Sequence, residues 1–181
     1  MRRIAAVLPG LLFCLVVHAH VQPGDTPPDA LDTTQEGKEV TVSSLRGKVV
    51  VVSFWATRCG YCMKEMPVLA KFQSLATQRG LPLQVVSINY REDRHVFVNT
   101  VRVLRPLLPG LLMTWDRDGT LGKPYGTARG IPVMVMLHRD GTIAHIHVRY
   151  GEDMLDTLVG EINELLAEKQ SPSVTDNASG L

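Results

Sequence analysis

Cys59-Gly60-Tyr61-Cys62 is the segment of this chain best equipped for chemistry. Two thiols separated by two residues can form and break a disulfide, which is redox chemistry. A buried-type strand precedes the pair and a helix follows it, so Cys59 is expected at a helix N-terminus. Unpaired N–H groups and the helix dipole favour negative charge there, lowering a thiol pKa and supplying thiolate at neutral pH. Cys59 is therefore the expected nucleophile toward a substrate disulfide. Cys62, one turn later on the same helix face, is the expected resolving thiol, whose attack on the mixed disulfide releases the reduced product. A purely structural CxxC disulfide would close too short a loop to constrain the unfolded chain much. No second cysteine pair or HxxxH run completes a zinc site. His145 and His147 alternate along a strand and share a face, so they could bind a metal, although solvated strand histidines are commoner.

The elements that must position this pair follow from periodicity. Lys48–Trp55 (KVVVVSFW) is a β-branched and aromatic run of the kind covered on both faces, suited to the centre of a sheet. A helix over Pro67–Arg79 follows, with Val68, Phe72 and Leu75 at helical spacing and Gly80 as a stop. Pro67, inside such a helix, removes a backbone hydrogen bond and kinks the axis. Leu83–Asn89 is a second buried strand, Glu92–Leu104 a helix, and Leu111–Thr114 a short strand before a turn at Asp116–Gly119. Val133–Leu137 and Ile143–Val148 flank an Asp140-Gly141 hairpin turn and form an antiparallel pair. Leu155, Leu158, Val159, Ile162, Leu165 and Leu166 give the last helix an apolar stripe. Pro132 directly precedes the hairpin, and Ile131-Pro132 could be cis, because X-Pro bonds carry little penalty for that isomer.

Composition sets the scale. The 181 residues are 45% hydrophobic and 20% charged, enough for one domain. Nineteen basic against eighteen acidic residues leave a net charge of +1, which argues against nucleic acid as a partner. Three cysteines are too few for a disulfide lattice or a four-cysteine zinc site. Arg2 and Arg3 precede an apolar run from Ile4 to Val17, broken by Pro9-Gly10, so residues 1–19 read as a secretory signal peptide or else a retained membrane anchor. Lipidation at Cys14 is disfavoured by the bulk of Phe13. Loss of this segment would remove Arg2 and Arg3, moving the net charge from +1 to -1, and would leave only Cys59 and Cys62. Residues 20–34 then read as a linker, 35–169 as the folded domain, and 170–181 (QSPSVTDNASGL from Gln170) as a disordered tail.

The stretch from Gly47 through Cys62 (GKVVVVSFWATRCGYC), followed by Glu65 and Pro67, resembles the thioredoxin fold. Within it, the likeness is to the TlpA/ResA-like and CcmG/DsbE-like thiol-disulfide oxidoreductases. The resemblance runs from about Glu36 to Glu168. It implies an α/β fold with a central mixed β-sheet flanked by helices. Gly37–Arg46 would be entry strands, Gly130-Ile131-Pro132 the cis-proline loop, and the stretch from Asn89 to Arg94 the start of an extra helix-strand insertion.

The resemblance also implies a job. Such proteins are typically exported or membrane-tethered reductants that keep cysteines of apocytochrome c, or of metal-centre assembly proteins, in the dithiol state. Periplasmic location, cysteine-containing clients, a membrane electron donor of the thiol-relay type, a monomeric state and no organic cofactor follow as expectations. Trp55, Ile131 and Pro132 would hold substrate. Glu92 is the candidate proton acceptor for Cys62, because Ser53 stands where plain thioredoxins carry a buried Asp and cannot act as a base. Glu65 and Arg58 are candidates for tuning thiol pKa. Arg58 replaces the family's usual second Trp, Tyr61 its usual proline, and Val133-Met134 an acidic residue typical of cytochrome-maturation members. Tyr61 and Arg58 therefore favour a dithiol oxidase or isomerase as the rival enzyme. A copper-binding assembly factor using Cys59 and Cys62, with Met63 or His145, is the non-enzymatic rival.

Overall fold

The computed structural model describes residues 20–149, 151 and 154–168. The expected signal segment at 1–19, with Cys14, and the tail at 170–181 lie outside the described residues. Among these residues, seven strands and three α-helices follow in chain order: β1 (Ala30–Thr33), β2 (Glu39–Thr41), β3 (Val49–Trp55), α1 (Gly60–Gln78), β4 (Leu83–Tyr90), α2 (Arg94–Leu104), β5 (Leu112–Asp116), β6 (Val133–Leu137), β7 (Ile143–Val148) and α3 (Leu155–Ala167).

The main sheet has the order β5-β4-β3-β6-β7. β3 pairs parallel with β4, and β4 with β5, while β6 runs antiparallel to both β3 and β7. Every residue of β3 is buried, as its unbroken apolar run requires of a central strand. α2 and β5 together are the helix-strand insertion.

Strand alternation divides the core. Val50, Val52 and Phe54 pack with Leu31, Val40 and Tyr125 on one face of the sheet. Val49 and Val51 pack with Leu69 of α1 and Leu158 and Ile162 of α3 on the other. A third cluster joins Trp55, Cys62 and Met66 to Phe97 and Val101 of α2. Ser53 shares the helix-facing parity of Val51 and Trp55, so a polar side chain points toward α1.

Residues 20–34, expected as linker, instead contribute β1, which pairs with β2 and buries Leu31 completely. An edge pair with one apolar anchor gives too short a pattern to stand out in sequence.

The Asp140-Gly141 turn forms as expected: the His138 N–H donates to Thr142 O at 2.9 Å, and Gly141 adopts φ 85. A Cβ at Gly141 would stand 3.0 Å from Val42 Cγ1. Gly141→Ala is therefore expected to cost about 1 kcal/mol or more from the left-handed backbone alone, measured by urea unfolding.

Candidate active site

Cys59 and Cys62 are joined as a disulfide at the start of α1, with Cα atoms 5.2 Å apart. Cys59 is the helix N-cap, in extended backbone, and its Sγ accepts the Cys62 N–H at 3.1 Å. The Cys59 sulfur thus occupies the place where an N-cap side chain meets the unpaired amides of the first turn, and where a thiolate would be stabilised. Cys59 is partly exposed, whereas Cys62 is 1% exposed among Trp55, Met66 and Phe97. That asymmetry leaves the Cys59 sulfur accessible and shields the Cys62 sulfur.

The loop before β6 completes the opposite wall. The Ile131-Pro132 bond is cis, and the Ile131 carbonyl oxygen lies 3.8 Å from Cys59 Sγ. A groove of about 480 Å³ opens beside Cys59, lined among others by Arg58, Tyr61, Tyr90, Arg91 and Ile131. Tyr61 is 64% exposed at its rim.

Glu65 stands one helical turn beyond Cys62 and is buried with it on the inner face of α1. Its only hydrogen bond among the described residues comes from Ser53 Oγ, at 2.6 Å to Oε1. Burial pushes the Glu65 carboxyl up to about 7, against a smaller lowering by Ser53. A carboxyl at that value can take up or release a proton at neutral pH.

Glu92 does something different. Its carboxylate accepts the Thr57 backbone N–H at 3.0 and 3.1 Å, the Thr57 hydroxyl at 2.5 Å and Asn89 Nδ2 at 2.7 Å. Arg58 Nη1 lies 3.8 Å away. Burial works to raise the Glu92 pKa, but these bonds and the Arg58 charge outweigh it and hold the carboxyl below its ordinary value. Bound in this way, Glu92 is a poor proton acceptor for Cys62 and a good anchor for the turn carrying Arg58 and Cys59. A depressed carboxyl contributes stability that is present above its ordinary pKa and lost as pH falls through the lowered one. Glu92→Gln should therefore destabilise the protein at pH 7 and make its melting temperature less sensitive to acid, as thermal denaturation across pH 3–7 would show.

The remaining expected site residues are dispersed. Trp55 is completely buried in the third core cluster and supports the cysteine turn from beneath, so it is not placed to touch substrate. Arg58 is exposed but shares its charge with Glu92. His145 and His147 stack with ring centroids 6.3 Å apart, and both face Glu161 of α3, at 3.4 and 2.7 Å. Among the described residues, no group of three or more His, Cys, Asp or Glu is arranged to hold a metal ion, and no helix is long and apolar enough to cross a membrane.

Ser53, Tyr90 and Arg91 gain roles here that the sequence reading did not assign. Alternation along β3 could have aimed Ser53 at α1, but nothing local pairs it with Glu65 twelve residues later. Tyr90 and Arg91 reach the groove only through the parallel pairing of β4 with β3.

The Redoxin family profile matches residues 22–161. This chain belongs to the redoxin family. The thiol-disulfide oxidoreductase ResA of Bacillus thuringiensis subsp. konkukian is 26% identical over 120 residues, 66% of this redoxin and 66% of ResA. The thiol:disulfide interchange protein DsbE of Pseudomonas aeruginosa is 32% identical over 108 residues, 60% of this chain and 55% of its own length. A crystal structure from Chlorobium tepidum, provisionally named a thiol:disulfide interchange protein DsbE, superposes with a TM-score of 0.68 at 27% identity, covering 81% of this chain and 99% of that one. The thioredoxin fold, the Cys59–Cys62 disulfide and these relatives together make this redoxin a thiol-disulfide oxidoreductase of the ResA and DsbE type.

Proposed function

We propose that this redoxin is an exported reductant: it reduces disulfides of cysteine-bearing client proteins in the periplasm and is itself re-reduced by a membrane thiol relay. Apocytochrome c and metal-centre assembly proteins are the clients proposed. The observation that carries the reducing direction is the Arg58–Glu92 pair. A dithiol couple is strongly oxidising when its reduced form is stabilised. An Arg58 guanidinium free to face a Cys59 thiolate would do that, but the Glu92 carboxylate, 3.8 Å away, offsets part of its charge.

In the proposed cycle, the Cys59 thiolate attacks one sulfur of the client disulfide. That S–S bond breaks, the departing client thiolate takes a proton from solvent, and a Cys59–client mixed disulfide remains. The Cys62 thiol then gives its proton to the Glu65 carboxylate and attacks Cys59 Sγ. The second client thiolate leaves and is protonated in turn. The client has gained two electrons and two protons, and the enzyme holds the Cys59–Cys62 disulfide seen in the structure. Ile131 on the groove wall, with the buried cis Pro132 that follows it, would hold the client chain during both attacks.

Single turnover tests this reading. Reduced protein mixed with a peptide containing one intramolecular disulfide should form the Cys59–Cys62 disulfide and an equivalent amount of peptide dithiol. Reduced protein that leaves the peptide oxidised at equimolar concentration would contradict it.

A further inference from the structure

We propose that Arg91 determines client specificity by reading a negative charge, so that the preferred clients carry an acidic side chain within a few residues of the attacked cysteine. This rests on the oxidoreductase reading above and adds the class of substrate to it.

Charge is the first observation. The groove wall beside Cys59 carries two arginines, Arg58 and Arg91, and no carboxylate. The Glu92 carboxylate, 3.8 Å from Arg58 Nη1, offsets part of the Arg58 charge. Arg91 is exposed, and among the described residues no carboxylate pairs with it. Three of the acids nearest in sequence are committed elsewhere: Glu92 is bonded to Thr57 and Asn89, Asp116 to the amides of Gly119, Leu121 and Gly122, and Asp118 to Thr120. Asp93 is exposed at the start of α2. Arg129, next to the groove residues Ala128 and Gly130, is also exposed and adds to the positive field.

Backbone geometry is the second. Arg91 has φ 54, a left-handed conformation that Gly, Asn or Asp adopts at lower cost. The Arg91 N–H donates to Asp116 O at 3.0 Å, which fixes that conformation. A long charged side chain at a strained backbone position on the wall of a reactive groove points to use of that side chain.

Close packing is the third. A Cβ at Gly119 would come within 2.7 Å of Arg91 Cδ and 2.8 Å of Tyr90 Cε2. The stem of Arg91 therefore lies directly on the Gly119 backbone, in a residue that lines the groove beside Cys59. An arginine fixed in this way can pair with a client carboxylate at little cost in side-chain freedom.

The test uses the full chain in reduced form and three disulfide peptides that differ only in a Glu, Gln or Lys beside the attacked cysteine. At low salt, the second-order rate constants should fall in the order Glu, Gln, Lys, by about threefold to fivefold at each step, and converge in high salt. Arg91→Asn, which tolerates the left-handed backbone, should bring the three rates together. Arg91→Asp should invert the order, and Arg91→Lys should retain it. Equal rates for the three peptides with the natural protein would overturn the proposal, as would an unchanged order in Arg91→Asp. Because the readout is a ratio between peptides, partial loss of stability in one variant does not imitate it. Failure to reduce even the Gln peptide would instead contradict the reductant reading itself.

Discussion

Cys62→Ala is expected to stop turnover and to accumulate a mixed disulfide between Cys59 and the client. The two sulfurs differ in access, and the proposed cycle gives them different duties. Cys59 caps the helix and faces the groove, so its attack on a client disulfide survives the substitution. Cys62 is buried behind it, and without that thiol no group in the first turn of α1 can displace the client. Multiple-turnover activity should fall to the rate of uncatalysed exchange, while one equivalent of client thiol is still released at first contact. Non-reducing gels and intact-mass measurement would show a covalent adduct that disappears on adding dithiothreitol. In cells the same variant would retain its natural client. Cys59→Ala should form no adduct in the same assay, and equal trapping by the two variants would contradict the assignment of roles.

Glu65→Gln should slow the resolving step by about a hundredfold and raise stability at alkaline pH. The first effect follows if the carboxylate accepts the Cys62 proton, since positioned acid–base groups contribute about 10²–10⁴ in rate. With its pKa pushed up to about 7, the Glu65 carboxylate becomes available as pH rises through neutrality. Decay of the mixed disulfide should therefore accelerate through about pH 7 in the natural protein, and that inflection should vanish in Glu65→Gln. The stability effect has the opposite sign. A carboxyl whose folded pKa lies above its ordinary 4.5 contributes stability that is complete below 4.5 and lost as pH rises through about 7. The loss amounts to about 3 kcal/mol for a shift of this size. The natural protein should melt at lower temperature at pH 8 than at pH 5, and Glu65→Gln should lack most of that decline. A purely structural Glu65 would move the melting curves and leave the pH dependence of mixed-disulfide decay in place.

Much of this was legible in the sequence because it is encoded locally. The all-buried run of β3, the Asp140-Gly141 turn and the stripe of α3 each carry their own periodicity. The position of Cys59 at a helix start follows from a strand ending just before it. The Ile131-Pro132 loop just ahead of β6 was legible in the same way. What was not legible depends on pairing across the sheet or on burial. The proton-accepting role suits Glu65 better than Glu92, because Ser53 and the packing of α1 bury one carboxyl while Thr57, Asn89 and Arg58 saturate the other. Both are acids near the cysteines, and residue type alone does not separate them. Trp55 likewise alternates to the helix-facing side of β3, where α2 of the insertion covers it; the sequence shows an aromatic beside the active site without showing which side it takes. Arg91 carries no signal except its charge, and its place on the groove wall comes from the β3–β4 register and the bare backbone at Gly119.

The reduction potential of the Cys59–Cys62 couple tests the proposed role most directly. Protein equilibrated in dithiothreitol or glutathione buffers of graded ratio, then trapped with a thiol-alkylating mass tag, gives the fraction oxidised at each poise. A thioredoxin-like value, about -270 mV or lower, is expected for a reductant in which Glu92 holds Arg58 and leaves the Cys59 thiolate only moderately stabilised. A value near about -120 mV, that of a strong dithiol oxidant, would contradict it.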